Sequence, residues 1–349
     1  MIVGIIGGRG TGKTIFVSLL ANTAIKYSVE TKEHFRYWTS PEFTPIIQDI
    51  IASLKLRKWT PYHLKNSLIG HKFWFAYSEK LNRILNTLYY NLEELSEAIK
   101  KLETPRKELY NIIEFNLYNL TEEDVDIIYR ADSLAKKRGI SIFDELPENL
   151  KAILDCNVLV FLIDSSKITT DITDPRYMKM LGYDGLMANL ISLAAMYRSK
   201  KYGIKAGKLF PVFVFTKFDT VDRKVLNVLG IAEIDGWLIE KRKERKEITE
   251  RLIKLLARFY QHTLVFAQGG PVWDIQLERT YEVFVSYLMT DHEEGESVPK
   301  VVKLPDGISY DLVYSRSEYI RFIEYLGKIA NEIKETYKGP TAPVTGLGK

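Results

Sequence analysis

The sequence predicts an α/β fold of three layers, a mostly parallel sheet between helices, and three observations predict it. A short apolar strand, Met1-Ile2-Val3-Gly4-Ile5-Ile6, runs into a glycine-rich segment and then into helix-spaced apolar residues. Two further apolar runs, 157–164 and 210–215, read as strands buried on both faces, because parallel strands covered by helices lose the polar alternation of half-exposed ones. Between those runs, Leu186, Leu190, Leu193 and Met196 recur at helical spacing. Strand, helix and strand in that order make a crossover on one sheet with the first strand.

The glycine-rich segment is Gly7-Gly8-Arg9-Gly10-Thr11-Gly12-Lys13-Thr14, which fits G-x-x-x-x-G-K-[ST]. Its four glycines let the backbone curl around a polyphosphate with N–H groups pointing inward. Lys13 reaches the β- and γ-phosphates and the Thr14 hydroxyl ligates Mg²⁺, while the dipole of the helix opening at Ile15 favours the anion. The expected ligand is a nucleoside triphosphate, held by residues 7–15.

Composition narrows the class. The net charge of +4 on 349 residues gives no independent case for a nucleic-acid partner. The single cysteine, Cys156, excludes an internal disulfide and, beside a very apolar run, reads as packing. No apolar run approaches the roughly 18 residues that span a bilayer, and the apolar start is too short for a signal peptide. The expectation is a cytoplasmic protein without a transmembrane segment.

The strand at 210–215 ends in Thr216-Lys217-Phe218-Asp219. T-K-x-D after a buried strand resembles the guanine-specificity motif of P-loop GTPases. A carboxylate at Asp219 accepts from both N1–H and the exocyclic amine of guanine, a donor pair that adenine lacks. Lys217 would pack its stem over the base. The site also falls at the C-terminal edge of a strand, where open α/β sheets bind ligands. The resemblance is to the TRAFAC class, and it implies GTP or GDP with Mg²⁺ as ligands.

That resemblance also implies a γ-phosphate sensor, D-x-x-G at a strand end, before the strand at 157–164. The segment offering it is Ile140-Ser141-Ile142-Phe143-Asp144-Glu145-Leu146-Pro147-Glu148. Asp144 would hold Mg²⁺, but Pro147 stands at the glycine position and has no N–H to donate. Glu148 takes the place of the residue that orients water. The same run allows an ATPase reading, with Asp144 on Mg²⁺ and Glu145 as general base. A catalytically silent nucleotide-binding scaffold is a third reading.

An effector-loop Thr that reaches Mg²⁺ is sought after the first helix. Lys58-Trp59-Thr60-Pro61 resembles the double-GTPase-like branch and makes Thr60 the first choice; Thr39 and Thr44 compete, and Thr60 could instead end a helix at 45–56. The run 72–77 reads as a strand pairing beside 140–143. Leu81, Leu85, Leu88, Leu92, Leu95, Ile99 and Leu102 alternate steps of four and three, a coiled-coil-like seam. Helical patterns resume over 108–117 and 122–137, so 78–138 is expected to be a helical insertion, either folded on its own domain or serving as an arm for a protein partner or homodimer.

Residues 241–259 read as a charged amphipathic helix with a solvated face. For the last base-contacting loop, Ser286 at the end of the strand 281–287 is favoured, with Ala267 as runner-up. A polar loop over 291–307, an amphipathic helix over 315–337 and a tail over 338–349 complete the chain. The expected organisation is a P-loop NTPase domain over 1–77 and 139–337 interrupted by the helical insertion. The expected function is slow, partner-stimulated GTP hydrolysis as a switch, with Lys13, Glu145 and Glu148 as catalytic candidates.

Overall fold

Strand β1 (Ile2–Gly7) lies inside a seven-stranded sheet whose order is β2-β3-β4-β1-β5-β6-β7. The others are β2 (Phe35–Thr39), β3 (Lys72–Tyr77), β4 (Ile112–Asn119), β5 (Val158–Asp164), β6 (Phe210–Thr216) and β7 (Glu282–Val285). β4, β1, β5, β6 and β7 run parallel, while β2 and β3 pair antiparallel at one edge. The structure is a computed structural model that describes residues 1–8, 10–31, 35–59, 72–77, 112–119, 122–203, 207–230, 242–268 and 281–337.

The unbroken apolar runs are explained by two cores. Along β5, Val158, Val160 and Leu162 pack into the core shared with helix α1 (Lys13–Thr31), α2 (Phe43–Lys55) and the last helix, Arg316–Tyr337. Leu159, Phe161 and Ile163 point the other way, into the core built with the helices Glu148–Leu154, Pro175–Tyr202 and Arg242–Phe259. Each face of the sheet is therefore covered, and every residue of β5 and β6 is buried. Cys156 belongs to the second core. A Cβ on Gly4 would sit 3.0 Å from its Sγ, and burial pushes the thiol up to about 12.

The architecture is thus mixed α/β with a mostly parallel central sheet, as the apolar runs predict. Three local expectations are corrected. The segment 112–119, counted among the inserted helices, is strand β4 and the direct parallel neighbour of β1. Its side chains alternate: Ile113, Phe115 and Leu117 are buried, and Glu114 and Asn116 fall between them. Phe115 stacks on Phe73 of β3 with ring centroids 4.2 Å apart, so β3 pairs with β4 rather than with 140–143. That segment is itself no strand. The helix Glu122–Arg138 ends at Gly139, whose φ of +65° suits glycine, and Ile142–Glu145 then forms one helical turn.

The stretch 291–307, expected as a polar loop, instead belongs to two hairpins over 290–312, β8 (Thr290–Glu293) with β9 (Glu296–Pro299) and β10 (Val301–Lys303) with β11 (Tyr310–Leu312). The heptad run over 81–102 and the tail 338–349 lie outside the described residues. Among the described residues, no helix is long and apolar enough to cross a membrane.

Candidate functional site

The glycine-rich loop leaves β1 and turns directly into α1. Gly10 and Gly12 adopt φ of +78° and +80°, conformations that an L side chain rarely takes. A Cβ on Gly7 would meet Thr11 Oγ1 at 2.6 Å and Leu162 at 3.2 Å, so the loop leaves no room for a larger residue there. Thr11 Oγ1 donates to the Gly8 carbonyl at 3.0 Å, closing the curl. Lys13 Nζ donates to the carbonyls of Gly7 and, at 3.0 Å, Tyr118. Burial pushes its pKa down to about 8. Thr14 and Ile15 follow in the first turn of α1. Arg9 lies outside the described residues.

The T-K-x-D turn is brought against this loop. Thr216 Oγ1 donates to the Thr11 carbonyl at 2.7 Å, bonding the end of β6 to the glycine-rich turn. Lys217 takes a left-handed φ of +51°, which lays its stem beside Gly12; a Cβ there would lie 3.8 Å from Lys217 Cγ and Cε. Its Nζ donates to Asp164 Oδ2 at 3.0 Å. The buried Asp164 carboxylate also accepts from Ser166 N at 3.2 Å and Ser166 Oγ at 2.6 Å. Asp164 is therefore a positioning residue for Lys217. Sequence reading passed over it, although a carboxylate closing a strand of six apolar residues was the available signal.

Beside these groups opens a cavity of about 260 Å³, lined by Gly12, Ile15, Lys217, Asp219 and Ser286 among others. Burial pushes the Asp219 carboxyl up to about 6, with Lys217 acting in the opposite direction. Ser286 lines the cavity with its hydroxyl hydrogen-bonded to Tyr319 Oη at 2.6 Å. Its backbone fixes the neighbouring turn, since Ser286 N donates to Phe215 O and Phe218 N donates to Ser286 O. Ala267, the runner-up, is instead buried in the core on one face of the sheet.

Asp144, Glu145 and Glu148 are not brought to this cavity. Phe143 packs on Tyr197 and Lys200 Nζ donates to Ser141 Oγ, which fixes 141–145 beside the C-terminal end of the helix Pro175–Tyr202. That end feeds the start of β6, whereas Gly12 and Asp219 sit beyond the other ends of the strands. Glu145 pairs with Arg138 at 2.6 Å, and Glu148 pairs with Lys151 at 2.8 Å with its side chain 88% exposed. The strands flanking β1 end at Asn119, in register with Gly7, and on the other side at Asp164.

The threonines divide likewise. Thr39 and Thr44 hydrogen-bond each other, and Thr39 sits on the edge strand β2 with β3 and β4 between it and β1. Thr60 lies outside the described residues. No group of three His, Cys, Asp or Glu side chains able to hold a metal converges among the described residues. No family model and no curated protein sequence matches the chain.

Proposed function

We propose that this chain binds guanine nucleotides, as a relative of the TRAFAC-type P-loop GTPases, and hydrolyses GTP slowly. The observation that carries the reading is the contact between its two motifs. Thr216 Oγ1 bonds to the Thr11 carbonyl, Lys217 lies along Gly12, and Asp219 lines a cavity that the glycine-rich loop also lines. Phosphates would sit on the N–H groups of residues 8–14, and a base entering the cavity would meet a carboxylate suited to the guanine N1–H and amine pair. Mg²⁺, when bound with the triphosphate, neutralises charge developing on the phosphoryl oxygens.

The ATP-driven alternative loses its support, because Asp144 and Glu145 do not close a strand. Asp144 lies in a single helical turn, and Glu145 and Glu148 pair with Arg138 and Lys151, so the expected metal ligand and water-handling groups are away from the cavity. Slow turnover follows, with a protein partner or a second copy supplying the missing group. The test is equilibrium binding of labelled GTP, ATP and XTP to the wild type and Asp219→Asn. The wild type should prefer GTP, and the variant should lose GTP affinity and gain XTP, whose C2 carbonyl suits an amide donor. Equal affinity of the wild type for GTP and ATP, unchanged by the substitution, would refute the assignment.

A further inference from the structure

We propose that Trp59 forms the outer wall of the base end of this cavity and that the β8–β9 hairpin holds it there. The inference rests on the guanine-nucleotide reading and extends it to a residue outside both motifs. Helix α2 stops at Lys55, and Arg57 turns the chain with a left-handed φ of +59°. The turn is closed by Arg57 N donating to Leu54 O and Lys58 N to Ser53 O, both at 3.0 Å. It aims residues 57–59 at the hairpin. There Arg57 pairs with Asp291 at 2.9 Å and with Glu293 on one strand, while Trp59 Nε1 donates to Ser297 O at 2.6 Å on the other.

Trp59 does not belong to either core. It is 46% exposed, an expensive state for an indole whose N–H is already tied down, and it lines the cavity together with Lys217, Asp219, Thr290 and Ser297. A planar purine is the occupant that removes this exposure. The indole supplies a π-face, the Lys217 stem supplies an aliphatic one, and Asp219 supplies the edge recognition. Base stacking on an aromatic side chain changes affinity by roughly fivefold to a hundredfold. The nucleotide site is then completed by two segments far apart in sequence, the end of α2 and the hairpin after β7.

The test separates base from phosphate. Calorimetric affinities of Mg-GTP and Mg-tripolyphosphate are measured for the wild type, Trp59→Ala, Trp59→Phe and Arg57→Gln. Trp59→Ala should lose at least about fivefold for GTP and nothing for tripolyphosphate, which has no base. Trp59→Phe should retain most of the GTP affinity, because it keeps an aromatic face, and Arg57→Gln should fall between the two. GTP affinity unchanged in Trp59→Ala, beside a wild type that binds GTP, overturns the role of Trp59 and leaves the nucleotide reading standing. Equal loss for both ligands also overturns it, since that reports a general disturbance. A wild type with no GTP affinity removes the underlying reading, and the proposal with it.

Discussion

Acidification should weaken GTP binding in a way that only Asp219 explains. Burial in the cavity wall holds its carboxyl at about 6, against an ordinary 3.8. Only the ionised form accepts from both guanine donors, and a bound base would return the pKa toward or below its ordinary value. The free carboxyl is about nine-tenths ionised at pH 7 and about one-tenth ionised at pH 5. Below the free-state pKa, binding must expel a proton, so affinity is nearly full at pH 7, about halved at pH 6 and falls further as the pH drops. The expected loss between pH 7 and pH 5 is about tenfold, or about 1.4 kcal/mol. Fluorescent-GTP titration at fixed ionic strength measures it, with Asp219→Asn as the control that keeps every other titrating group. The variant should bind more weakly at pH 7 and show no acid limb of this size. A wild-type affinity that is flat from pH 7 to pH 5, or an acid limb that survives in Asp219→Asn, would refute the placement of this carboxylate against the base.

Lys13→Ala should weaken triphosphate binding by roughly a hundredfold while leaving the thermal midpoint nearly unchanged, because a desolvated charge-assisted contact is removed and no core residue is touched. Burial holds Lys13 at about 8, so wild-type affinity should also fall as the pH rises through that value and the ammonium is lost; binding that is constant to pH 9.5 would contradict this. Single-turnover hydrolysis should run on the order of 10⁻⁴–10⁻² s⁻¹ or slower. Glu145→Gln and Glu148→Gln should leave that rate unchanged, as both carboxylates are paired away from the cavity; a large loss in either would return them to the reaction. Phe115→Ala should cost about 3–5 kcal/mol in urea unfolding, because a fully buried ring stacked between strands leaves a cavity that the rigid sheet cannot close.

What could be read from residues alone was the part governed by strong local patterns. The glycine-rich loop, the two unbroken apolar strands and the T-K-x-D turn are each dictated by chemistry within a few neighbours. Strand β4 reads as helix because Ile112, Ile113, Phe115 and Leu117 come shortly after a leucine-rich helical pattern and are short enough a run to fit either period. The polar residues Glu114 and Asn116 between them carry a period of two, and only pairing with β1 and β3 decides the matter. The run Ile140–Phe143 failed for the opposite reason. Its apolar residues match a strand in composition, but Gly139 on one side and Pro147 on the other leave space for a single turn. The role of Asp164 is not legible because it comes from what the side chain faces, the ammonium of Lys217; Trp59 reads only as a flank of Thr60, since the hairpin it bonds to lies more than 200 residues away in the chain.

The burial of Cys156 makes the chain's sole thiol a clock for the opening of the core around it. It is wedged beneath Gly4, with its pKa pushed up to about 12, so the folded protein presents neither a thiolate nor access to a reagent. An alkylating agent can reach it only when the core around it opens, whether at β1 or at the helices that cover that face. The labelling rate in native buffer therefore reports the free energy of that opening. Occupation of the loop at the far end of β1 should slow it in proportion to ligand saturation. The same silence leaves the surface free for a single introduced cysteine, for instance on the β8–β9 hairpin, to carry a spectroscopic label without competition from the interior.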